Sequence, residues 1–375
     1  MNINRTRLKE EFLRLVKISS ESKNEKGVVD YLIDLFSDIA DEVILDGSKE
    51  KTGSNTDNLI IKIRGTRDIP PLLLCSHVDT VVPGNNITPI EEGDIIRTDG
   101  NTILGADCKS GVAMIIECVR SLKEHNADHG DIELLFTVCE EIGLLGAKSL
   151  DYSLIESRQC FAVDTVGVVR IINRAPSSDK IKFTIFGKEA HAGVEPEKGI
   201  SAIKIAARAI ELMTLGRIDH ETTANIGTIQ GGDATNIVPK MVVLKGEARS
   251  HDSDKLRAQT NSMRDAVKSA VAEYRVDNAD DLPRYEEDVT LEYESFTVPE
   301  DDELITRCKR AAESMDEELT VIAAGGGSDA NIFNAHGIKS VIFATGMDRV
   351  HTVNEQINMD DLYKNATLLF NVLLV

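Results

Sequence analysis

The apolar run LLFTVCEEIG (134–143) breaks on two adjacent carboxylates, Glu140 and Glu141. Neighbouring carboxylates at the end of a core strand repel each other and lose hydration, so the arrangement calls for a cation or a proton beside them. Two further apolar runs stop on residues of the same kind, LLLCSH on His77 and CFAVD on Asp164. Asp107, in LGADCKSG ahead of a helical stretch, and His351, in RVHTVNE after a strand-loop segment, take equivalent edge positions. Together His77, Asp107, Glu141, Asp164 and His351 offer two imidazoles and three carboxylates, a set that suits zinc by donor type. One zinc uses only four ligands. With Asp107 bridging, one metal takes His77 and Asp164, the other takes Glu141 and His351, and a shared water completes both tetrahedra. Two metals roughly 3.5 to 4 Å apart are a hydrolytic arrangement. Mn²⁺ and Co²⁺ fit the same nitrogen and oxygen donors, so the residues leave the metal open.

These residues lie far apart in the chain, and a sheet is the element that gathers them. NLIIKIRG (58–65), PLLLCSHVD (71–79), DIELLFTVCEE (131–141) and QCFAVD (159–164) are near-continuous apolar strands, the pattern of a sheet covered on both faces. In open α/β sheets, ligands collect at the carboxyl ends of the strands. Helical spacing marks 7–18 and 25–39. SGVAMIIECVRSLKEH (110–125) is the clearest covering helix, with Val112, Ile115, Ile116, Val119 and Leu122 on one stripe and Ser110 or Asp107 as its cap. The class is α/β.

From about 177 the pattern becomes β-α-β-β-α-β, a ferredoxin-like order, bounded by the turn-forming APSSD (175–179) and VPEDDE (298–303). The expected organisation is therefore 1–176, an inserted domain at 177–298, and 299–375 resuming the first pattern. That last part contains a helix near 303–315, a glycine turn AAGGGSDA, the strand SVIFATG and a helix from about 359. DNADD (277–281) reads as a solvated loop.

Composition narrows the partners. The chain has 375 residues, 42% hydrophobic and 28% charged, and a net charge of −21. That charge repels phosphate backbones and anionic lipid, so neither nucleic acid nor a membrane surface is an expected partner. The N-terminal stretch has no apolar segment of the secretory kind, and no later stretch approaches ~20 apolar residues. Six cysteines without a C-x-x-C pair read as reduced core packers, and the expected location is cytoplasmic. Three motifs are set aside. HETTA (220–224) lacks the second His of a zinc helix, and His125 and His129 sit in a stretch read as solvated. GADCKSG departs from a phosphate loop at Cys108 and carries the anionic Asp107.

The segments SHVDTVVPG (76–84), GADCKSGVA (105–113), TVCEEIGLLGAK (137–148), FAVD (161–164), KEAHAG (188–193), GGDATNIVP (231–239), GGSDAN (326–331) and HTVNEQI (351–357) resemble, in order, the dinuclear zinc exopeptidases of the aminoacylase and carboxypeptidase type. Within that superfamily the chain looks most like the peptidase T-like tripeptidases. The resemblance implies an α/β/α catalytic domain and an inserted ferredoxin-like domain that acts as a lid or pairs with a second copy. It implies two Zn²⁺ on His77, Asp107, Glu141, Asp164 and His351. Glu140 becomes the general base, and Asp79 lies behind His77, accepting its other N–H. The implied reaction is hydrolysis of the N-terminal bond of a short peptide, zinc acidifying a water that gives its proton to Glu140.

His191 matches a donor to the developing oxyanion, and Arg249 and Asn236 match positions that hold a substrate carboxylate. By itself Arg249 reads equally as a sheet-surface ion pair, and His191 as a loop histidine. Gly326, Gly327 and Ser328 either bring main-chain N–H groups to the substrate or simply turn the chain. Alternative functions are an N-acyl amino acid deacylase or carboxypeptidase with the same metals, and a non-catalytic binding protein. Substrate length, the group that receives the peptide's ammonium, and oligomeric state are not set by these residues.

Overall fold

Strands Leu59–Ile63, Leu72–His77 and Ile132–Thr137 are buried at every residue. Side chains alternate across a sheet, so continuous apolar runs demand cover on both faces. The computed structural model describes residues 2–275 and 281–374; positions 277–280 of DNADD lie outside the described residues. The chain forms two compact units, Met1–Arg174 with Thr297–Val375, and Ala175–Phe296.

In the first unit the sheet runs Glu42–Leu45, Leu59–Ile63, Ile132–Thr137, Leu72–His77, Gln159–Thr165, Lys339–Ala344, Arg170–Ala175, with Thr320–Ala323 paired to the last of these. Four adjacent strands, Ile132–Thr137, Leu72–His77, Gln159–Thr165 and Lys339–Ala344, are parallel. Leu59–Ile63 pairs antiparallel, so the sheet is mixed. Helix Ala106–Glu124 packs on Leu72–His77 and Gln159–Thr165, and Arg5–Val16 and Met359–Leu374 pack on that helix.

All five residues of the expected stripe are buried, and so is most of the remainder of this helix. Sixteen of its nineteen residues are buried, Glu117 among them, and Arg7 neutralises Glu117 at 2.6 Å. The expected cap also differs. Gly105 precedes the helix without a side-chain cap, and the Ser110 hydroxyl donates to Ala106 O instead. Gly111 makes the close packing possible, because a Cβ there would sit 2.2 Å from Val163 O. His129 is a further correction: it is buried at 8% exposure rather than solvated, with Nδ1 2.7 Å from Gly130 O.

A small sheet that the apolar pattern did not reveal runs Met347–Asp348, Gln356–Asn358, Ile95–Arg97, Ile90–Glu92. Its first two strands pair antiparallel and flank residues 349–355, so His351 stands in the loop of a hairpin.

The second unit carries an antiparallel sheet in the order Gly216–Arg217, Thr222–Gly231, Met241–Ser250, Ser177–Phe186, Arg284–Tyr293. Ile181, Phe183 and Ile185 alternate into a core shared with helices Ala202–Leu212 and Ser253–Glu273. Counting its four long strands along the chain, their spatial order is 4-1-3-2. Among the described residues, no helix is long and apolar enough to cross a membrane.

Candidate metal centre

Parallel neighbours end at the same edge, and His77 ends one of them, in register with Thr137 on the next. Asp164 lies in the adjacent parallel strand. The strand expected at 131–141 stops at Thr137, which corrects the placement of the glutamate pair. Cys139 adopts a left-handed backbone (φ 55°), and the N–H groups of Gly143 and Leu144 return to Glu140 O. Glu140 and Glu141 thus stand in a turn beyond the strand.

His77 Nε2 is 3.0 Å from Asp107 Oδ1 and 3.4 Å from Asp164 Oδ1. His351 Nε2 is 3.0 Å from Asp107 Oδ2 and 3.1 Å from Glu141 Oε2. Donor atoms of His77, Asp107, Cys108 and Asp164 lie within 4.8 Å of one another, as do those of Asp107, Glu141 and His351. Asp107 belongs to both groups. Cys108, read from the sequence as a core packer, is a member of the first group, and its thiol donates to Val163 O at 2.8 Å. Burial pushes that thiol well above its ordinary pKa.

The protonation pattern is that of a cluster short of positive charge. Burial opposes a charge on His77, yet the carboxylates of Asp164, Asp107 and Asp79 outweigh it and hold the imidazole well above its usual range. His351 is pushed up to about 10 by its bonds to Asp107 and Glu141. Burial raises Glu140, Glu141 and Asp164. Asp107 feels the same burial but is held low by His351 and His77.

Behind the cluster stand four buried carboxylates, three of which bind main chain. Asp79, wholly buried, accepts the N–H of Glu140 at 2.9 Å and of Glu141 at 3.2 Å, and the Ser22 hydroxyl at 2.7 Å. Its expected contact with His77 is made differently. His77 Nδ1 lies 3.0 Å from the Asp79 main-chain oxygen and 3.5 Å from its carboxylate. Glu25 accepts the N–H of Cys139 at 3.0 Å. Glu355 accepts N–H groups from Leu104, Gly105 and Asp107. Asp329 accepts the Thr137 hydroxyl at 2.6 Å, and burial raises it to about 7. Glu355 and Asp329 lie inside the quoted HTVNEQI and GGSDAN segments, and Glu25 opens the helical stretch 25–39, but nothing in their type or spacing assigns them these contacts.

A cavity of about 380 Å³ opens over the cluster, lined by His77, Asp107, Glu140, Glu141, Asp164 and His351 together with Gly326, Gly327 and Ser328. Ser328 caps helix Asp329–Ala335. His191, Asn236 and Arg249 belong to the second unit. There His191 is exposed, the neighbouring Ala192 N–H donates to Asn236 O at 2.8 Å, and Arg249 pairs with Glu247 at 2.9 Å.

Two observations test whether divalent cations suit the cluster. Three carboxylates meet two imidazoles at 3.0 to 3.4 Å, and the buried Glu141 Oε1 has no hydrogen-bond partner among the described residues. Cations fit both, because they relieve the repulsion and take up the orphaned oxygen.

The mixed α/β fold gathers imidazole and carboxylate donors at its strand ends, and likeness to known proteins gives the class, a peptidase. The profile of Peptidase family M20/M25/M40 matches residues 73–374, and the chain belongs to that family. A tripeptidase of Staphylococcus aureus subsp. aureus Mu50 superposes with a TM-score of 0.94 at 37% identity, covering 100% of this chain and 99% of that one. The aminopeptidase PepT of Bacillus cereus ATCC 10987 gives 0.89 at 43% identity, covering 99% and 98%. A Bacillus subtilis peptidase of the M20 family, described as dinuclear metal binding, shares the fold at 0.72 and 17% identity, over 99% and 97%.

Proposed function

We propose that this peptidase is a dinuclear zinc exopeptidase that removes the N-terminal residue of short peptides, tripeptides above all. The observation that carries the reading is the double engagement of Asp107, whose two oxygens each lie 3.0 Å from a different imidazole. His77, Asp107 and Asp164 would hold one cation and Asp107, Glu141 and His351 the other. When bound, such a pair polarises a carbonyl and lowers the pKa of water toward about 7.

Glu140 takes the proton of the attacking water and returns it to the leaving amine. It lines the cavity, and among the described residues no hydrogen bond ties up its carboxylate. Asp79 fixes the turn from which Glu140 and Glu141 project. The main chain at Gly326, Gly327 and Ser328 borders the space a peptide would fill, where N–H groups can hold it. His191, Asn236 and Arg249 are assigned to the substrate, and the inserted unit to lid closure or pairing with a second copy. Likeness to a tripeptidase and to PepT, at 37% and 43% identity, supports this substrate class. Six free, buried cysteines suit a reducing compartment, the cytoplasm.

The test is a substrate panel with zinc-loaded protein: tripeptides, the same peptides N-acetylated, and N-acyl amino acids. Free tripeptides are expected to lose their first residue and acetylated ones to resist. Cleavage of N-blocked substrates alone would favour the deacylase or carboxypeptidase reading, and an inert panel a binding protein.

A further inference from the structure

We infer that Glu355 is a positioning residue that fixes the shared ligand Asp107 relative to His351, and so sets the affinity of both halves of the centre. The inference rests on the dinuclear reading given above. Glu355 is 1% exposed and ends the turn that begins at His351, its own N–H bonded to Thr352 O at 3.0 Å. Its side chain reaches a segment some 250 residues earlier. Oε2 accepts the N–H of Leu104 at 2.7 Å and of Gly105 at 2.8 Å, and Oε1 accepts the N–H of Asp107 at 2.9 Å.

Donors therefore face both oxygens. Only a carboxylate satisfies such a set, because an amide in either orientation would turn its NH₂ toward a main-chain N–H. The segment needs an outside clamp. Gly105 is left-handed at φ 72° and makes no side-chain cap, while Asp107 and Cys108 depart from helical geometry. The helix that follows cannot by itself dictate where the Asp107 carboxylate points. Glu355 supplies that constraint from the very loop that carries His351, so the two metal-facing loops hold one register. Carboxylates that orient ligands in this indirect way govern metal affinity by about 10- to 100-fold.

The experiment compares wild type, Glu355→Gln and Glu355→Ala, each stripped of metal and titrated with Zn²⁺ against a chromophoric chelator. Tripeptide kinetics at rising free Zn²⁺ and thermal unfolding of the metal-free chains accompany the titrations. Both variants are expected to need about 10- to 100-fold more Zn²⁺ for half-occupancy. Activity should return on adding metal, with KM for the peptide within about twofold of wild type. A variant that merely lost folded protein would show a smaller amplitude at an unchanged zinc midpoint, and that result overturns the inference. If Glu355→Ala does not fold, the near-isosteric Glu355→Gln decides. A wild type that binds fewer than two Zn²⁺ would instead remove the dinuclear reading itself, with both variants matching it.

Discussion

The carboxylate of Asp79 receives the main-chain N–H of Glu140 at 2.9 Å and that of Glu141 at 3.2 Å. One enclosed side chain thereby aims both the residue assigned to proton transfer and one assigned to metal. Asp79→Asn keeps the shape but turns a donor amide toward one of those N–H groups. We expect a loss of about 10- to 100-fold in metal affinity or kcat, read by zinc titration and steady-state kinetics. Wild-type values in both would leave Asp79 a packing residue.

Glu140→Gln separates chemistry from metal binding. The amide fills the same volume and cannot take a proton, so kcat should fall by at least about 100-fold while zinc content stays at wild-type level. Metal analysis and turnover on one protein sample check the two halves together. Near-normal turnover would shift the proton to another group.

Removing the shared ligand should cost more metal than removing an unshared one. Asp107→Ala takes a donor from both groups, whereas His351→Ala takes one from the second alone. The expected content after gel filtration is below one Zn²⁺ per chain for Asp107→Ala and close to one for His351→Ala. If Asp107→Ala still carries two, the bridging assignment fails.

Chelation should leave a chain whose stability depends on pH with a definite sign. His351 titrates at about 10 in the folded, metal-free chain, against 6.5 ordinarily. A raised pKa means that the folded state holds the proton more tightly, so its stabilisation is complete below about 6.5 and is lost as pH climbs toward about 10. His77 and the buried Glu140, Glu141 and Asp164, also raised, act in the same direction, and only the buried Lys109, lowered to about 7, is set against the two imidazoles among these groups. The Tm of EDTA-treated protein should therefore decline across that window, and the zinc-loaded protein should decline less. A Tm of the stripped protein that rises with pH would contradict this electrostatic account.

What could be read from the residues followed from period and chemistry. Uninterrupted apolar runs located Leu72–His77 and Gln159–Thr165, and donor residues at their ends located His77 and Asp164. The strand before the glutamate pair reads too long because Val138 and Cys139 are apolar, while its end is set by the backbone at Cys139 and by Asp79, a partner some sixty residues away. Glu25 and Glu355 carry no mark of their role for a related reason. The contacts that tie them to the site are with the main-chain N–H groups of Cys139 and of Leu104, Gly105 and Asp107, which every residue except proline carries, so no residue type advertises them. The antiparallel Leu59–Ile63 was hidden because burial on two faces looks the same in either direction.

The hairpin that presents His351 follows, by some 270 residues, the strand that His77 closes. No nascent chain still lacking residue 351 contains both groups, however well its earlier strands have paired. The proposed pair of ions would therefore meet both imidazoles only once Met347–Asp348 has closed on Gln356–Asn358, so that its capture would follow the making of this hairpin.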